Sequence, residues 1–219
     1  MKTQSLNLTQ PPIVHIPINS IELEGELLVP PDAKGLVIFA HGSGSSRHSP
    51  RNKFVAQVLR KHSLATLLVD LLSEEEDSDY QNRFDISLLT ERLIVITDWA
   101  THNEVTANLN IGYFGASTGA AAAMLAAVGA EDIVKAIVCR GGRVDLAYKA
   151  TDTLRAPTLL IVGQQDYGVR EANEDVFLKL KSKKEIAEIP NATHLFEEPG
   201  ALDRVAQLAS EWFQDYLSP

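Results

Sequence analysis

Two patterns of apolar residues alternate along the chain. Near the N-terminus, residues 14–18 and 21–30 show a near-alternation of apolar and polar side chains, which is typical of half-exposed strands. The short connection Asn19-Ser20 between them predicts an antiparallel hairpin at the edge of a sheet. After Gly35 the apolar residues form short, nearly continuous runs, which are typical of parallel strands buried on both faces. These runs are residues 36–40, 64–70, 111–114, 134–139 and 158–162.

Helical periodicity fills the spaces between these runs. Asp85 is placed to cap a helix with one apolar face, and a second apolar face marks a last helix near the C-terminus. The two faces contain Ile86, Leu89, Leu93, Ile96 and Ala100 in the first helix, and Leu202, Val205, Ala206, Ala209, Trp212, Phe213 and Tyr216 in the second. The alternation predicts an α/β fold, with a mostly parallel central sheet, an N-terminal antiparallel hairpin and helices on both faces. Residues 140–157 are too few for a helical lid domain, so we expect an open, shallow site that favours small or soluble substrates.

Composition adds limits to this fold. A chain of 219 residues with 45% apolar content is long enough for one well-buried domain, so we expect a single domain over residues 1–219 with a polar lead-in at 1–12. The formal net charge of -9 disfavours a nucleic-acid partner. No apolar run approaches the ~20 residues that span a bilayer, and residues 1–10 lack the apolar core of a signal peptide. The single cysteine, Cys139, excludes an intramolecular disulfide and favours the cytoplasm. We expect no membrane partner, and either a monomer or a homodimer.

The acidic run at residues 73–83 is the least regular part of the sequence. It contains no glycine to shape an ordered turn around a metal ion, so we predict a mobile, solvated loop and no metal site. No other pattern in the sequence calls for a cofactor.

Ser117 lies at the centre of the sequence Gly115-Ala116-Ser117-Thr118-Gly119, directly after a predicted buried strand. A GxSxG pentapeptide between a strand and a helix is typical of a nucleophile elbow, in which the serine occupies a strained turn. The residues that follow are rich in alanine, which suits a helix pressed closely against the sheet. We therefore predict that Ser117 is the nucleophile of a serine hydrolase.

A serine hydroxyl needs a base within reach and an acid that orients the base. Asp166 follows the strand at 158–162, and His194 follows the last predicted strand at 184–189. Taken alone, Asp166 could cap a turn or a helix, and His194 could be a solvated loop residue. Their positions after successive strands, in the order Ser, Asp, His, favour a catalytic triad.

The predicted hydrolase also needs two amide donors for the developing oxyanion. One is the backbone N–H of Thr118, the residue after the nucleophile. The other is expected from the glycine-rich loop His41-Gly42-Ser43-Gly44-Ser45-Ser46, where we predict the backbone N–H of Ser43. The alternative is that this loop is only a flexible turn.

The loop at 41–52, the pentapeptide at 115–119, the RGGR stretch at 140–147 and residues 157–166 together resemble the α/β-hydrolase superfamily, in its dienelactone-hydrolase-like branch. The resemblance runs from about Val14 to the C-terminus. It implies Ser117, Asp166 and His194 as the triad. Dienelactone hydrolase proper uses a cysteine nucleophile, whereas this elbow has a serine. We therefore expect simple ester hydrolysis and not lactone cleavage of that kind. Cys139 ends a different strand and is expected to be a small core residue.

Three arginines are candidates for substrate binding. Arg140 and Arg143 follow the strand at 134–139, and Arg47 follows the oxyanion loop. Each could pair with a substrate carboxylate, and each could instead tie down a loop through a protein carboxylate such as Asp145 or the acidic run.

The sequence therefore predicts a serine hydrolase that cleaves small esters through an acyl-enzyme intermediate, without cofactor or metal. Two alternatives stay open. The same triad could transfer acyl groups to another acceptor or cleave short peptides, and the fold could serve as a non-catalytic small-molecule-binding scaffold.

Overall fold

A single eight-stranded sheet organises the molecule. The computed structural model describes residues 11–218, so most of the predicted lead-in at 1–12 lies outside the described residues. The strand order across the sheet is β1-β2-β4-β3-β5-β6-β7-β8. The strands are β1 Ile13–Ile18, β2 Ile21–Leu28, β3 Gly35–Ala40, β4 Leu64–Val69, β5 Asn110–Ala116, β6 Val134–Arg140, β7 Thr158–Gly163 and β8 Lys184–Ile189. The pairs β1–β2 and β2–β4 are antiparallel, and all the others are parallel.

Helices cover both faces of this sheet, as predicted. The helices α1 and α6 bury their apolar residues against one face, and α3, α4 and α5 bury theirs against the other. The helices are α1 Pro50–Lys61, α2 Glu74–Ser78, α3 Ile86–His102, α4 Thr118–Ala126, α5 Tyr167–Lys179 and α6 Ala201–Leu217. The segment between β6 and β7 contains only a short 3₁₀ helix at Val144–Ala150, so no lid domain is inserted there. The mostly parallel α/β fold with an N-terminal hairpin is confirmed.

The register of the parallel strands brings their carboxyl ends to one edge. Ala40 of β3 lies beside Gly115 of β5, and Ala116 lies beside Arg140 of β6. On the other side, Gly163 of β7 lies beside Ile189 of β8. Residues that follow these strands therefore meet at the same edge, which is where ligands bind in open α/β sheets.

Close contact between α6 and the sheet depends on a small residue in β5. A β-carbon at Gly112 would lie only 2.7 Å from the ring of Phe213, so only glycine leaves room for this ring. Phe213 is fully buried, at 0% exposure. On the opposite face, the alanines of α4 are also fully buried, and their lack of bulk lets α4 lie close to the sheet.

The acidic run at 73–83 forms helical structure. The sequence prediction of a mobile loop is therefore wrong here. Ser73 caps α2, accepting a hydrogen bond from the Glu76 N–H at 3.2 Å, and the Glu76 carboxylate accepts from the Ser73 N–H at 3.0 Å. Arg92 of α3 also pairs with Glu76, and Arg83 pairs with Asp77. The reciprocal capping box satisfies two free N–H groups at the start of α2, and its sequence signature Ser-x-x-Glu was visible.

None of the helices within residues 11–218 is both long enough and apolar enough to cross a membrane.

Removing the Phe213 ring tests the packing of α6. We expect Phe213→Ala to lower the free energy of unfolding by about 3–5 kcal/mol, because it removes buried apolar surface and leaves a cavity. The measurement is urea denaturation followed by circular dichroism. The control is Leu178→Ala on α5, where the side chain is 76% exposed and the change should stay within about 0.5 kcal/mol. Equal effects of the two variants would contradict this account of the core.

Candidate active site

Ser117 occupies a strained turn between β5 and α4. Its backbone has φ 50° and ψ -120°, a region that residues with a β-carbon rarely adopt. Two hydrogen bonds hold it there: the Ser117 N–H donates to the Arg140 carbonyl at 3.3 Å, and the Ser117 carbonyl accepts from the Arg143 N–H at 3.0 Å. Arg140 is the last residue of β6 and Arg143 follows it closely, so the turn is fixed against the neighbouring strand. This is the geometry expected of a nucleophile elbow.

The two glycines of the pentapeptide make this turn possible by allowing close backbone contacts. A β-carbon at Gly119 would collide with the carbonyl oxygens of Ala40 and His41 at the end of β3. A β-carbon at Gly115 would lie 2.5 Å from the Cα of Ala120 in α4. A larger residue at either position would push α4 away from the sheet and move Ser117.

The hydroxyl of Ser117 is not used to cap α4. Ser117 stands at the N-cap position, where serine commonly accepts a hydrogen bond from the helix, but it makes no side-chain cap bond. The hydroxyl is therefore left free of this structural role. The N-terminus of α4 also favours negative charge beside it, because its first N–H groups and the helix dipole point that way.

Asp166 and His194 form a hydrogen-bonded pair. The Nδ1 atom of His194 lies 2.7 Å from Oδ2 of Asp166. The Asp166 side chain is 15% exposed and the His194 side chain 37% exposed. Asp166 stands at the N-cap of α5 but makes no cap bond there. The alternative role of helix cap is therefore absent, and the carboxylate instead orients an imidazole.

The loops that carry these two residues are joined by backbone contacts. Gln164 N–H donates to the Ile189 carbonyl at 3.0 Å, and Gln165 N–H donates to the Ala192 carbonyl at 2.9 Å. The buried ring of Phe196, two residues after His194, anchors the second loop in the core. The pair Asp166–His194 is therefore positioned by main-chain bonds and by packing on both sides.

The end of β6 lies between the nucleophile and the base. The Arg140 carbonyl accepts from the Ser117 N–H, as described above. A β-carbon on the next residue, Gly141, would lie 3.3 Å from His194 Nδ1. The structure thus places Ser117 and His194 beside the dipeptide 140–141, with Asp166 bonded to His194, although Ser117 and His194 lie 77 positions apart in sequence.

Ser43 and Thr118, the two predicted oxyanion donors, also lie together, but the amide of Ser43 is already hydrogen-bonded. The Ser43 N–H donates a hydrogen bond to the side-chain Oγ1 of Thr118 at 2.9 Å. A β-carbon on the preceding residue, Gly42, would lie 2.9 Å from the Cβ of Ser117, so the loop after β3 packs directly against the nucleophile. The predicted second oxyanion donor, the Ser43 N–H, therefore lies at the site, but it already donates its hydrogen bond to the Thr118 hydroxyl.

His41 fixes the base of this loop, a role that the sequence did not reveal. Its Nε2 accepts from the Leu71 N–H at 3.1 Å, which leaves Nδ1 as the donor to the Gly42 carbonyl at 3.0 Å. Burial lowers the pKa of His41 below its usual value, because the charged form would lose its solvation. The neutral form is also the one that can accept from Leu71.

Two of the three candidate arginines have protein carboxylates as partners. Arg143 makes a bidentate pair with Asp145, at 2.8 and 2.9 Å. Arg47 pairs with Asp70 and with Glu24. Arg47 lines a cavity of about 360 Å³ whose carboxylates far outnumber its cations. Those carboxylates are Glu22, Glu24, Asp70, Glu74 and Asp77. Both arginines hold loops in place, which is the structural alternative that the sequence left open.

Arg140 differs because no carboxylate pairs with it among residues 11–218. Its side chain is buried at 5% exposure, Nη2 lies 3.4 Å from Asn52 Oδ1, and Nε has no partner. The guanidinium lies 5.8 Å from the centroid of the Phe196 ring. Burial, and then the charge of Arg51, lower the pKa of Arg140 to about 10. The nearby Arg51 pairs with the exposed carboxylate of Glu197 at 3.0 Å.

Cys139 is fully buried in the core, and burial raises its pKa to about 12. A thiol in this environment is not a nucleophile near neutral pH. Within residues 11–218, no cluster of histidine, cysteine and acidic side chains is suited to hold a metal ion.

Comparison with known proteins agrees with this fold. A family model described as the dienelactone hydrolase family matches residues 25–218. A dienelactone hydrolase from Anabaena variabilis ATCC 29413 has a similar structure, with a TM-score of 0.91 and 54% identity over 95% of this chain and 99% of that one. Est1E from Butyrivibrio proteoclasticus has a TM-score of 0.80 at 19% identity, over 93% of this chain and 98% of that one, and supports the fold alone.

One sequence relative carries a different name. A Mycobacterium tuberculosis H37Rv protein named as a phosphoribosyl transferase is 50% identical over 204 residues. The match covers 93% of this chain but 46% of that protein, so the chain spans about half the length of this curated relative.

Titration of His41 gives a test of the loop after β3. Its pKa is lower in the folded than in the unfolded protein, so the unfolded state binds its proton first as the pH falls below about 6.5. We expect the free energy of unfolding to fall between pH 7 and pH 5, and to fall less in His41→Gln. The measurement is urea denaturation at a series of pH values. His102→Gln, at an exposed position on α3, is the control for loss of a histidine side chain and should change the free energy of unfolding at pH 7 by less than about 0.5 kcal/mol. A slope that His41→Gln leaves unchanged would contradict this role.

Proposed function

The chain belongs to the dienelactone hydrolase family and is a hydrolase, and we propose that it is a serine hydrolase that cleaves small carboxylic esters. The observation that carries this proposal is the bond from His194 Nδ1 to Asp166 at 2.7 Å, on the same sheet edge as the strained Ser117 turn. A carboxylate on Nδ1 leaves Nε2 as the nitrogen that can take a proton, as a general base for a serine requires.

The proposed reaction begins with attack of Ser117 Oγ on the ester carbonyl carbon. His194 Nε2 takes the hydroxyl proton, and the carbonyl electron pair moves onto oxygen to form the oxyanion. Asp166 keeps His194 in the required tautomer and stabilises its protonated form. When the tetrahedral intermediate collapses, His194 gives the proton to the leaving alkoxide, and the acyl group stays on Ser117.

Water completes the cycle in this proposal. His194 takes a proton from a water molecule, whose oxygen attacks the acyl carbon, and then returns that proton to Ser117 Oγ as the carboxylic acid leaves. The short segment between β6 and β7 leaves the site without a lid domain, which supports small or soluble esters as substrates.

The name of the Mycobacterium tuberculosis relative does not change this proposal. That name describes a protein about twice as long as the matched region, and the matched region contains the hydrolase family domain. The arrangement of Ser117, His194 and Asp166 supports acyl chemistry, with water or another nucleophile as the acceptor. Acyl transfer and peptide cleavage are the alternative enzymatic activities. A non-catalytic scaffold that binds a small molecule is the alternative to enzymatic activity.

We further infer that the substrate carries an anionic group, and this rests on Arg140. A buried guanidinium without a carboxylate is costly, and such groups concentrate at functional sites. Arg140 lies directly beside the elbow, and Arg51 adds a second positive charge. A carboxylate on the substrate would supply the partner that the described chain lacks. The cytoplasmic location and the absence of nucleic-acid and membrane partners stay predictions.

Removing the nucleophile tests the proposed function. We expect Ser117→Ala to abolish turnover of p-nitrophenyl acetate and covalent labelling by a fluorophosphonate, because it removes the proposed nucleophile. Asp166→Asn should lower kcat by about 10³- to 10⁴-fold through loss of the correct tautomer. Ser45→Ala, which removes a hydroxyl from the neighbouring loop, is the control. A well-folded wild-type protein that neither turns over the ester nor reacts with the probe would contradict the proposal.

Replacing Arg140 tests the anionic group. We expect Arg140→Met to raise KM for esters that carry a free carboxylate about 10- to 100-fold, the range set by loss of a charged hydrogen bond of about 1.5–3 kcal/mol. KM for neutral esters of the same size should change less than about threefold. Arg143→Met, which breaks a surface pair with Asp145, is the matched control. Equal changes for charged and neutral esters would exclude this role.

A further inference from the structure

The side chain of Thr118 makes a hydrogen bond that the predicted role of its backbone N–H, as an oxyanion donor, does not require. Its Oγ1 accepts the Ser43 N–H at 2.9 Å, across a separation of 75 residues in the sequence. Thr118 is the residue directly after the nucleophile, and it is buried at 2% exposure. A threonine hydroxyl therefore stands between the two main-chain amides expected to bind the oxyanion.

This contact limits what Ser43 can do directly. An amide has one proton, and the proton of Ser43 is directed at Thr118 Oγ1. A hydroxyl, however, both accepts and donates. The proton of the Thr118 hydroxyl has no hydrogen-bond acceptor among residues 11–218, so it is available to a group outside the described chain.

We propose that the hydroxyl of Thr118 is an oxyanion donor, which acts beside the N–H of the same residue and is held in place by the Ser43 N–H. This inference rests on the proposed serine mechanism. The nitrogen and Oγ1 of one threonine are separated by only two carbon atoms, so a single oxygen can accept from both. The hydrogen bond that Thr118 Oγ1 accepts from Ser43 polarises the hydroxyl and strengthens it as a donor.

The step requires no proton transfer from Thr118. As Ser117 Oγ bonds to the carbonyl carbon, its proton moves to His194, and the carbonyl π electron pair becomes the charge on the oxyanion. The Thr118 hydroxyl and N–H donate hydrogen bonds to that oxygen and keep their protons. When the carbonyl reforms, the same bonds weaken. Such donors lower the barrier because the charge is larger in the transition state than in the ester.

The opposite role is also defined by this geometry. If Thr118 Oγ1 only blocks the Ser43 amide, its removal frees that amide for the oxyanion and raises the rate. A hydroxyl with a purely structural role would change stability, with kcat and KM unaffected in the folded fraction. The three roles therefore predict different changes in kcat.

The experiment compares Thr118→Val, Thr118→Ala and Thr118→Ser with wild type on p-nitrophenyl acetate. We expect Val and Ala to lower kcat about 10- to 100-fold, because one oxyanion donor is lost while the Thr118 N–H remains, and to change KM by less than about threefold. Ser, which keeps the hydroxyl, should stay within about fivefold of wild type. A trifluoromethyl ketone, which forms an oxyanion on Ser117, should bind Val and Ala more weakly by a similar factor. Ser45→Ala is the control for the loop, and thermal melting identifies the folded variants.

The outcomes separate this inference from the function on which it rests. Wild-type turnover with unchanged or raised kcat in Thr118→Val and Thr118→Ala would overturn the donor role and leave the esterase intact. Equal losses in all three variants, Ser included, would overturn it in favour of packing. If wild type neither turns over the ester nor binds the ketone, the proposed function fails first, and the donor role fails with it.

Discussion

The backbone of Ser117 can hold its left-handed conformation only because two other segments approach it closely: the end of β3 with the loop after it, and the end of β6. Gly119 lies against the end of β3, Gly42 lies against the Cβ of Ser117, and residues at the end of β6 and just after it bond to the Ser117 N–H and carbonyl. Strained backbone of this kind costs on the order of 1–3 kcal/mol and persists only where the surroundings fix it. These contacts come from β3 and β6, the neighbours of β5 on either side. The order of the strands is therefore a condition for the chemistry at the edge of the sheet.

The same close packing determines what surrounds the nucleophile. Because the end of β6 must lie beside the elbow, the side chain of Arg140 is buried beneath the loop that carries His194 and Phe196. Because the loop after β3 must pass close to α4, the Ser43 amide is brought to the side chain of Thr118. Neither contact is a local property of its own segment. Both follow from the demand that backbone, and not bulky side chains, fill the space around Ser117.

Prediction from sequence succeeded where the signal is local or follows from strand order. Buried parallel strands have continuous apolar runs, and GxSxG has a fixed place between strand and helix, so the fold and the region of Ser117, Asp166 and His194 could be anticipated. The partners of individual side chains could not be predicted from sequence. Arg47, for example, pairs with Glu24 and Asp70, which the fold brings beside it. The capping box of α2 is also a local signal, Ser-x-x-Glu, but it lies within a run of acidic residues whose composition favours a solvated loop.

Charge around the site differs from the charge of the whole molecule. The chain has a net charge of -9, which would repel an anionic substrate at long range. Salt reduces that repulsion beyond roughly 10 Å, whereas a buried group is screened much less. Arg140 lies beside the elbow, with the charge of Arg51 near it, and the carboxylate that pairs with Arg51, that of Glu197, is 65% exposed. For the anionic substrate proposed above, the attraction of Arg140 therefore acts at the edge of the sheet where Ser117 lies, on orientation more than on the rate of encounter.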